Sequence, residues 1–245
     1  MDRFDRWRRA QEYEKTHWTK IASEITAQTG DLKWYKWKAG EFQKRIGKYV
    51  SLDDSKSERI LEIGGGPLGI VTFLGWGERF ALDPLENFYN DNKHLVELRD
   101  ERVKYLQGVG EDIPFDNDYF ALVIVDNVLD HCQNPYRVLS SIYRVLNGMG
   151  YLYIALNVHT VWGSMLRYIM EKFQIDKGHP HTYTKEGLRN SLGKHRFTIL
   201  DEEIEDYKKI RKRNLLSESM RDKIKGLTGI SEILYSAVCR KEPGA

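Results

Sequence analysis

The first 57 residues place aromatic and aliphatic side chains at helical spacing among polar ones. The apolar positions of the two stretches are Trp18, Ile21, Ala22 and Ile25, then Leu32, Tyr35, Ala39, Phe42, Ile46 and Tyr49. Gly30 and Asp31 mark a break between the two stretches. Residues 1–57 are therefore predicted to form a unit of two amphipathic helices with aromatic faces.

From residue 58 to the end of the chain, apolar runs alternate with helix-like segments. The strand-like runs are 59–63, 80–83, 103–106, 120–125 and 151–156. The run 120–125 is apolar throughout, as in a strand buried on both faces. Residues 136–146 have a one-sided apolar pattern, and glycines end that helix. Strands that alternate with helices predict βαβ units, a mostly parallel sheet and right-handed crossovers.

Composition narrows the class of protein further. The 245 residues carry 38 basic and 36 acidic side chains, a net charge of +2, and the mean hydropathy is −0.57. Such a balance excludes a polycationic chain, and the sequence has no apolar run long enough to cross a membrane. The first residues have no apolar segment of the kind found in secretory signals. Cys132 and Cys239 cannot form a disulfide framework, so we expect a cytoplasmic protein.

The first strand leads into a glycine-rich turn. Gly64, Gly66 and Gly69 fit the pattern G-x-G-x-x-G, and a helix is expected to follow through residues 70–73. Glycine permits positive φ and lets a ligand approach the backbone closely. Asp83 ends the next strand, 19 residues after Gly64, where a carboxylate can bind the two hydroxyls of an adenosine ribose. The combination favours an adenosine-containing cofactor over a turn without a ligand.

Glu62 helps to distinguish between such cofactors. This residue lies within the first strand, two positions before Gly64. A carboxylate there is unfavourable beside the pyrophosphate of a dinucleotide such as NAD. It suits a cofactor whose amino-acid end carries an ammonium group and a sulfonium.

Four segments resemble, in order, the motifs of class I S-adenosylmethionine-dependent methyltransferases, closest to the small-molecule (type 11) subgroup. Residues 62–69 are similar to motif I of this family, and residues 110–115 to its acidic loop before strand four. Residues 126–131 resemble the segment after that strand. Residues 134–151 resemble the helix and turn often written R-V-L-k-P-G-G. The resemblance covers roughly residues 58–156.

This resemblance implies a Rossmann-like three-layer α/β sandwich with a seven-stranded, mostly parallel sheet and an antiparallel last strand, covered by an N-terminal helical lid. Residues 197–200 and 233–238 would be strands six and seven. The implied S-adenosylmethionine-binding residues are Glu62, Gly64, Gly65, Gly66, Gly69, Asp83, Glu111, Asp112, Ile113, Asp126 and Asn127. Val109 departs from the family, which often has Asp there to bind the adenine amino group.

Three histidines are candidates for catalysis. His131 follows strand four, near the expected sulfonium, where it could act as a general base or only pack against the next helix. His179 and His181 could bind the acceptor, act as bases or have a structural role. An H-x-H pair without nearby cysteine is weak evidence for zinc, and we predict no metal. Tyr183 belongs to the same loop and is a candidate acceptor-binding residue.

Two further regions bear on the acceptor and on partners. Trp34, Tyr35 and Trp37 would contact the acceptor if the N-terminal helices close over the cleft; alternatively they anchor those helices to the sheet. The segment 207–225 has eight basic and two acidic residues, a local charge of +6, within a predicted insertion at about 206–232. It could attract a phosphorylated substrate, RNA or anionic lipid, or form a solvated charged helix.

The preferred function is methyl transfer to a small polar acceptor, at a hydroxyl of a sugar or secondary metabolite. RNA or protein methylation that docks through Lys208–Arg213 and the rest of the insertion is an alternative, although nucleic acid is disfavoured by the overall charge. A cofactor-binding subunit without catalysis is a second alternative. The oligomeric state is left open.

Overall fold

The computed structural model describes residues 3–27, 32–52, 58–173 and 179–243. Within these ranges there are nine α-helices and eight strands. The helices are α1 (Arg3–Ala27), α2 (Lys33–Ile46), α3 (Glu86–Asn90), α4 (Lys93–Glu97), α5 (Pro135–Val145), α6 (Val161–Lys172), α7 (Lys185–Lys194), α8 (Tyr207–Leu216) and α9 (Met220–Thr228). The strands are β1 (Arg59–Ile63), β2 (Glu78–Asp83), β3 (Val103–Gln107), β4 (Phe120–Asp126), β5 (Leu146–His159), β6 (Tyr183–Thr184), β7 (Phe197–Ile204) and β8 (Ile233–Lys241).

The strands form one sheet in the order β3-β2-β1-β4-β5-β8-β7, with the two-residue β6 beside the end of β5. Strands β1 to β5 pair in parallel, whereas β8 is antiparallel to both β5 and β7. The predicted sheet, with an antiparallel last strand beside the fifth, is confirmed. The short β6 is the one strand among the described residues that the prediction did not include.

Two apolar cores lie on opposite faces of the sheet, so the domain has three layers. Along β1, Leu61 and Ile63 pack into one core with α5 and α7, while Ile60 packs into the other. That second core contains Phe42 and Ile46 of α2. The alternation follows from the strand geometry, in which successive side chains point to opposite faces. The apolar pattern of α2 therefore anchors it to the sheet.

The N-terminal unit is helical as predicted. Its second helix, α2, buries Ala39, Phe42 and Ile46, which the periodicity assigned to the apolar face. Gly30, Asp31 and the side chains of Ile21, Ala22 and Ile25 lie outside the described residues, so this part of the pattern stays a prediction.

The segment after the glycine loop (residues 64–69) does not form the expected helix. Residues 71–73 make a single 3₁₀ turn, and residues 70–77 contain no α-helix. Arg79 accounts for part of the difference, because its guanidinium donates to the backbone oxygens of Val71, at 2.9 Å, and Leu74. The N–H groups of Ile70 and Val71 are taken by the Glu62 carboxylate. Of these contacts, only those of Arg79 take up backbone oxygens that a helix would pair, because the first N–H groups of a helix have no partner within it.

The predicted basic insertion is a pair of helices between β7 and β8. Asp206 caps the start of α8, and Ser219 caps the start of α9. Gly229 ends α9 with φ of 78°, a conformation that favours glycine. We refer to residues 207–228 as the basic hairpin. Among the described helices of the whole chain, none has the length and apolar composition needed to cross a membrane.

Candidate functional site

A cavity of about 560 Å³ lies at the carboxyl edge of the parallel strands, beneath α1 and α2. Ligand pockets of this type of sheet form at this edge, where the loops after the strands meet. From the sheet side it is lined by Glu62, Ile63, Gly64, Gly65, Gly66, Gly69, Asp83, Val109, Gly110, Glu111, Asp126, Asn127, His131 and Asn157. From the N-terminal helices it is lined by Trp7, Gln11, Tyr13, Glu14, Trp18, Trp34, Tyr35 and Lys38.

The glycine loop forms the floor of this cavity. Gly64 and Gly66 both have φ of 66°, which strains any other residue. A Cβ atom at Gly64 would lie 2.6 Å from a methyl carbon of Val128, and one at Gly66 would lie 2.9 Å from the ring of Trp18. The loop therefore requires glycine both for its conformation and for close packing.

Glu62 supports the loop from below. Its carboxylate is buried and accepts the N–H of Ile70 at 2.9 Å and the N–H of Val71 at 2.8 Å. A Cβ atom at Gly69 would lie 2.5 Å from the same carboxylate. Burial raises the pKa of Glu62 to about 7. The carboxylate thus fixes the backbone of the loop, a role that the sequence interpretation did not assign to it.

Asp83 ends β2 at the wall of the cavity. Its carboxylate accepts the N–H of Gly66 at 3.0 Å and the N–H of Leu85 at 2.8 Å. Burial raises its pKa to about 6, against the opposing effect of these two hydrogen bonds. A carboxylate has about four acceptor positions, so one remains on each oxygen for a ligand hydroxyl.

Of the three residues predicted to border the adenine, only Glu111 lines the cavity. Glu111 lines it and accepts the N–H groups of Gln133 and Asn134, at 2.8 and 2.9 Å. Ile113 is buried in the core instead, and Asp112 is exposed to solvent. Neither is part of the cavity wall, which here consists of Val109, Gly110 and Glu111. The loop turns after Glu111, which directs the next two side chains elsewhere.

Asp126 and Asn127 follow β4 on the opposite side of the glycine loop. Asp126 is buried and lies 2.8 Å from the ammonium of Lys38 on α2. Burial raises the pKa of this carboxyl, and Lys38 opposes the shift. Asn127 has φ of 57°, a left-handed conformation that asparagine tolerates better than most residues. Lys38 was not among the predicted site residues, although its ion pair joins the N-terminal unit to the sheet.

Aromatic side chains of α1 and α2 cover the cavity. Trp18 packs on Gly66 and meets Tyr89 edge-on, with ring centroids 6.3 Å apart. Tyr35 stacks on Phe73, and Trp34 packs edge-on against Tyr35. Burial raises the pKa of Tyr35 to about 12, so its hydroxyl is neutral at physiological pH. Trp18, Trp34 and Tyr35 line the cavity and pack against neighbouring aromatic rings, and the contact of Trp34 and Tyr35 with the acceptor stays a prediction.

Trp37 does not belong to this set. Its side chain is 59% exposed, and it is absent from the cavity wall. At about 100° per residue, Trp37 lies on the opposite side of α2 from Tyr35, which lines the cavity. The prediction that it contacts the acceptor at this cavity is not supported by its position.

His131 lies among polar side chains from three elements. Its Nε2 is 3.2 Å from the amide nitrogen of Asn127, and its Nδ1 is 3.4 Å from a carboxylate oxygen of Glu14. Asn157 donates to the oxygen of Asn127 at 3.4 Å. With the Asn127 amide as donor to Nε2, the ring proton is on Nδ1 and faces Glu14. Glu14 and Asn157 were missed because helix α1 and strand β5 bring them here from distant parts of the chain.

His179 is beside His131, with ring centroids 4.6 Å apart, and lines the same cavity. His181 and Tyr183 do not line it. The Nε2 atom of His181 lies 3.0 Å from the backbone oxygen of Cys132, and Tyr183 packs against the main core. Residues at this spacing would share one side of a regular strand, but the chain bends at residue 180, between His179 and the other two. Their predicted catalytic and acceptor-binding roles are not supported by these positions.

Three side chains are close enough together to share a cation. Asp130, His131 and His179 each offer one ligand atom, and these atoms lie within 4.8 Å of one another. We call them the polar triad. One oxygen of the buried Asp130 has no hydrogen-bond partner among the described residues. However, Nε2 of His131 is already next to the Asn127 amide. The absence of a metal stays a prediction.

Comparison with known proteins agrees with this geometry. Residues 61–154 match the family model of a methyltransferase domain. The matched region includes the glycine loop, Asp83 and the end of β4. Residues 61–154, less than half of the chain, are thus similar to a methyltransferase domain, and this similarity indicates S-adenosylmethionine as the cofactor.

Three individual proteins are similar to this chain, with sequence identities of 30% or less. YrhH of Bacillus subtilis (strain 168), which carries a methyltransferase assignment, is 30% identical over 114 residues; the match covers 45% of this chain and 63% of YrhH. A geranyl diphosphate C-methyltransferase from Streptomyces coelicolor A3(2), solved with Mg²⁺, geranyl diphosphate and S-adenosyl-L-homocysteine, has a TM-score of 0.60 at 10% identity. That match covers 82% of this chain and 79% of the other. A protein from Galdieria sulphuraria, assigned to sarcosine and dimethylglycine methylation, has a TM-score of 0.61 at 15% identity, with 88% of each chain covered.

Proposed function

We propose that this chain transfers the methyl group of S-adenosylmethionine to a hydroxyl of a small polar acceptor, such as a sugar or a secondary metabolite. The observation that carries the proposal is a single cavity with two unlike halves. One half contains the glycine loop and the Asp83 carboxylate, and the other contains Asn127, His131 and His179. A donor in the first half and an acceptor in the second would meet beside Asn127.

The residues of the first half fit the cofactor. The backbone of Gly64 and Gly66 would line the methionine part of the cofactor, beside the Val128 and Trp18 side chains that pack on these glycines. Asp83 has one acceptor position left on each oxygen, which suits the two ribose hydroxyls. Val109 and Glu111 would border the adenine, and Asp126 would lie toward the methionine end.

His131 is the proposed general base. The cofactor supplies a methyl group on a positively charged sulfur, already activated for in-line displacement. The acceptor oxygen forms its bond to the methyl carbon while the sulfur–methyl bond breaks, and Nε2 of His131 takes the hydroxyl proton. To do so, the acceptor replaces the Asn127 amide beside Nε2. Glu14 and Asp130 then stabilise the imidazolium from 3.4 and 3.7 Å.

The N-terminal helices would exclude water during this step. Trp18, Tyr35 and Lys38 close the cavity above the glycine loop and the end of β4. A shielded site favours the aligned displacement over contact with solvent. This placement supports the proposal that residues 1–57 act as a lid.

Two measurements on the purified chain test the proposal. Calorimetry should detect S-adenosylhomocysteine binding, and labelled methyl groups should pass to a polar small molecule in a metabolite extract. His131→Ala should lower the transfer rate by about 10²- to 10⁴-fold, as for loss of a general base, with little change in cofactor affinity. His94→Ala is the matched control, because His94 is 66% exposed and distant from the cavity. An unchanged rate in His131→Ala would remove His131 from the mechanism.

Two other functions remain alternatives. Arg221 and Lys225 of the basic hairpin line one end of the cavity. An RNA or protein methyltransferase could use these basic side chains to dock its substrate. Methyl incorporation into RNA or protein, rather than into small molecules, would favour that function. A subunit without catalysis would bind S-adenosylhomocysteine but transfer no methyl group by itself.

A further inference from the structure

Helix α6 presents an apolar stripe to solvent. Its exposed apolar residues at helical spacing are Val161, Met165, Tyr168, Ile169 and, just past its end, Phe173. Tyr168 is 72% exposed and Ile169 is 49% exposed. In a globular protein the apolar stripe of a helix normally faces the core. A stripe that faces outward marks a surface for another molecule.

Helix α9 continues the same surface. Met220, Ile224 and Leu227 recur at helical spacing and are exposed, and Leu227 is 70% exposed. The indole of Trp162 on α6 donates to the backbone oxygen of Thr228 on α9 at 3.0 Å, which holds the two helices side by side. We call the exposed apolar side chains of α6 and α9 the outer apolar face.

The basic hairpin, which includes α9, also carries exposed basic side chains. Lys208, Lys209, Lys212, Arg213 and Arg221 are exposed on the two helices of the basic hairpin. Their segment carries a charge of +6, whereas the whole chain carries only +2, so the rest of the chain is net acidic. Amphipathic helices that combine apolar and basic residues bind at the surface of anionic membranes. A second copy of the chain would bring the same positive charge, which disfavours self-association through this face.

We infer that the outer apolar face and the basic hairpin dock this protein on an anionic lipid bilayer. The apolar side chains would enter the headgroup region, and the lysines and arginines would meet lipid phosphates. Arg221, Asp222 and Lys225 line the cavity from the opposite side of α9, so docking would place one end of the cavity about one helix diameter, roughly 10 Å, from the headgroups. If the proposed methyl transfer holds, the acceptor is then the polar end of an amphiphile drawn from the bilayer.

Flotation of the full chain with vesicles tests the docking without any methyl-transfer readout. The protein should float with vesicles of phosphatidylcholine plus phosphatidylglycerol, much less with phosphatidylcholine alone, and less as salt is raised. Lys209→Glu with Lys212→Glu should weaken partitioning at least about thirtyfold, since loss of two basic residues near an anionic surface alone accounts for that much. Tyr168→Asp with Ile169→Asp should weaken it at least about tenfold through loss of apolar insertion.

Matched controls separate this surface from a general effect of charge. Met149→Asp changes a residue that is 66% exposed on another part of the molecule, and Lys93→Glu reverses an exposed charge at the start of α4. Both should float like the unchanged protein. Docking is refuted if the unchanged protein stays with the soluble fraction, or if the controls lose as much as the test variants. It is also refuted if scattering shows that Tyr168 and Ile169 hold a dimer together, or if RNA binds and vesicles do not. A protein that floats but transfers no methyl group would contradict only the proposed function.

Discussion

Asp83→Asn is the sharpest test of how the cofactor is held. The carboxylate accepts two backbone N–H groups, from Gly66 and Leu85, and has one acceptor position left on each oxygen. An amide keeps the size of the side chain but turns one acceptor into a donor. Two of the four hydrogen bonds expected in the complex, one from a backbone N–H and one from a ribose hydroxyl, then lose their acceptor. Leaving a buried polar group unpaired costs about 1–3 kcal/mol, so the Kd for S-adenosylhomocysteine should rise about five- to 150-fold.

The pH dependence of binding gives a second readout. Burial raises the pKa of Asp83 to about 6 in the free protein. Ribose hydroxyls donate to the ionised carboxylate, so binding lowers this pKa and releases a proton below pH 6. The linkage predicts about tenfold weaker binding at pH 5 than at pH 7. Asp83→Asn should remove this part of the pH dependence.

Calorimetry at several pH values and in buffers of different ionisation enthalpy measures both quantities. Asp112→Asn is the control, because Asp112 carries the same charge in the loop near Glu111 but is exposed outside the cavity. It should leave the Kd and its pH dependence unchanged. If Asp83→Asn binds with the original Kd and the original pH profile, Asp83 does not bind the ribose.

Three further predictions concern the loop, the N-terminal unit and the metal. Glu62→Gln should lower the free energy of unfolding by about 1–3 kcal/mol in chemical denaturation, since one backbone N–H of the loop loses its acceptor. The control Glu97→Gln, at an exposed position, should change this free energy by less than about 0.5 kcal/mol. Lys38→Met should lower the free energy of unfolding by about 1–3 kcal/mol, because the buried Asp126 loses its ion pair. Adding Asp126→Asn should recover most of this loss, whereas the control Lys36→Met should have little effect. No recovery in the double variant would refute the pairing. Dialysis against EDTA should leave methyl transfer unchanged, and a loss restored by Mn²⁺ would show that the polar triad binds a cation.

The sheet could be predicted because its information is local. Each parallel strand is a short apolar run, and the run 120–125 forms the buried core of β4. The motifs at strand ends identified Gly64, Asp83 and Asn127 as neighbours, since the carboxyl ends of parallel strands meet at one edge. The failure after the glycine loop has a specific cause. Arg79 satisfies the backbone oxygens of Val71 and Leu74, which a helix would have paired, and no periodicity in residues 70–73 could reveal this.

The acceptor half of the site was less accessible from the sequence. His131 and His179 were identified by residue type and position, but His181 and Tyr183 face away from the cavity. Glu14 and Lys38 are ordinary charged residues on amphipathic helices, and only the docking of α1 and α2 brings them to His131 and Asp126. A sequence pattern shows which face of a helix is apolar. It does not show which charged residue at the border of that face meets a distant partner.

If the proposed function holds, the two ion contacts of the N-terminal unit would couple closure of the cavity to chemistry. Lys38 neutralises Asp126 at the end of β4, and Glu14 faces the Nδ1 proton of His131. Both partners of the sheet lie next to Asn127, where the proposed donor and acceptor would meet. If α1 and α2 moved away, Asp126 would keep an unpaired charge and His131 would lose the carboxylate that stabilises its protonated form. The same helices that exclude water would therefore also complete the proposed base, so a protein with an open cavity would bind the cofactor without being competent for proton removal.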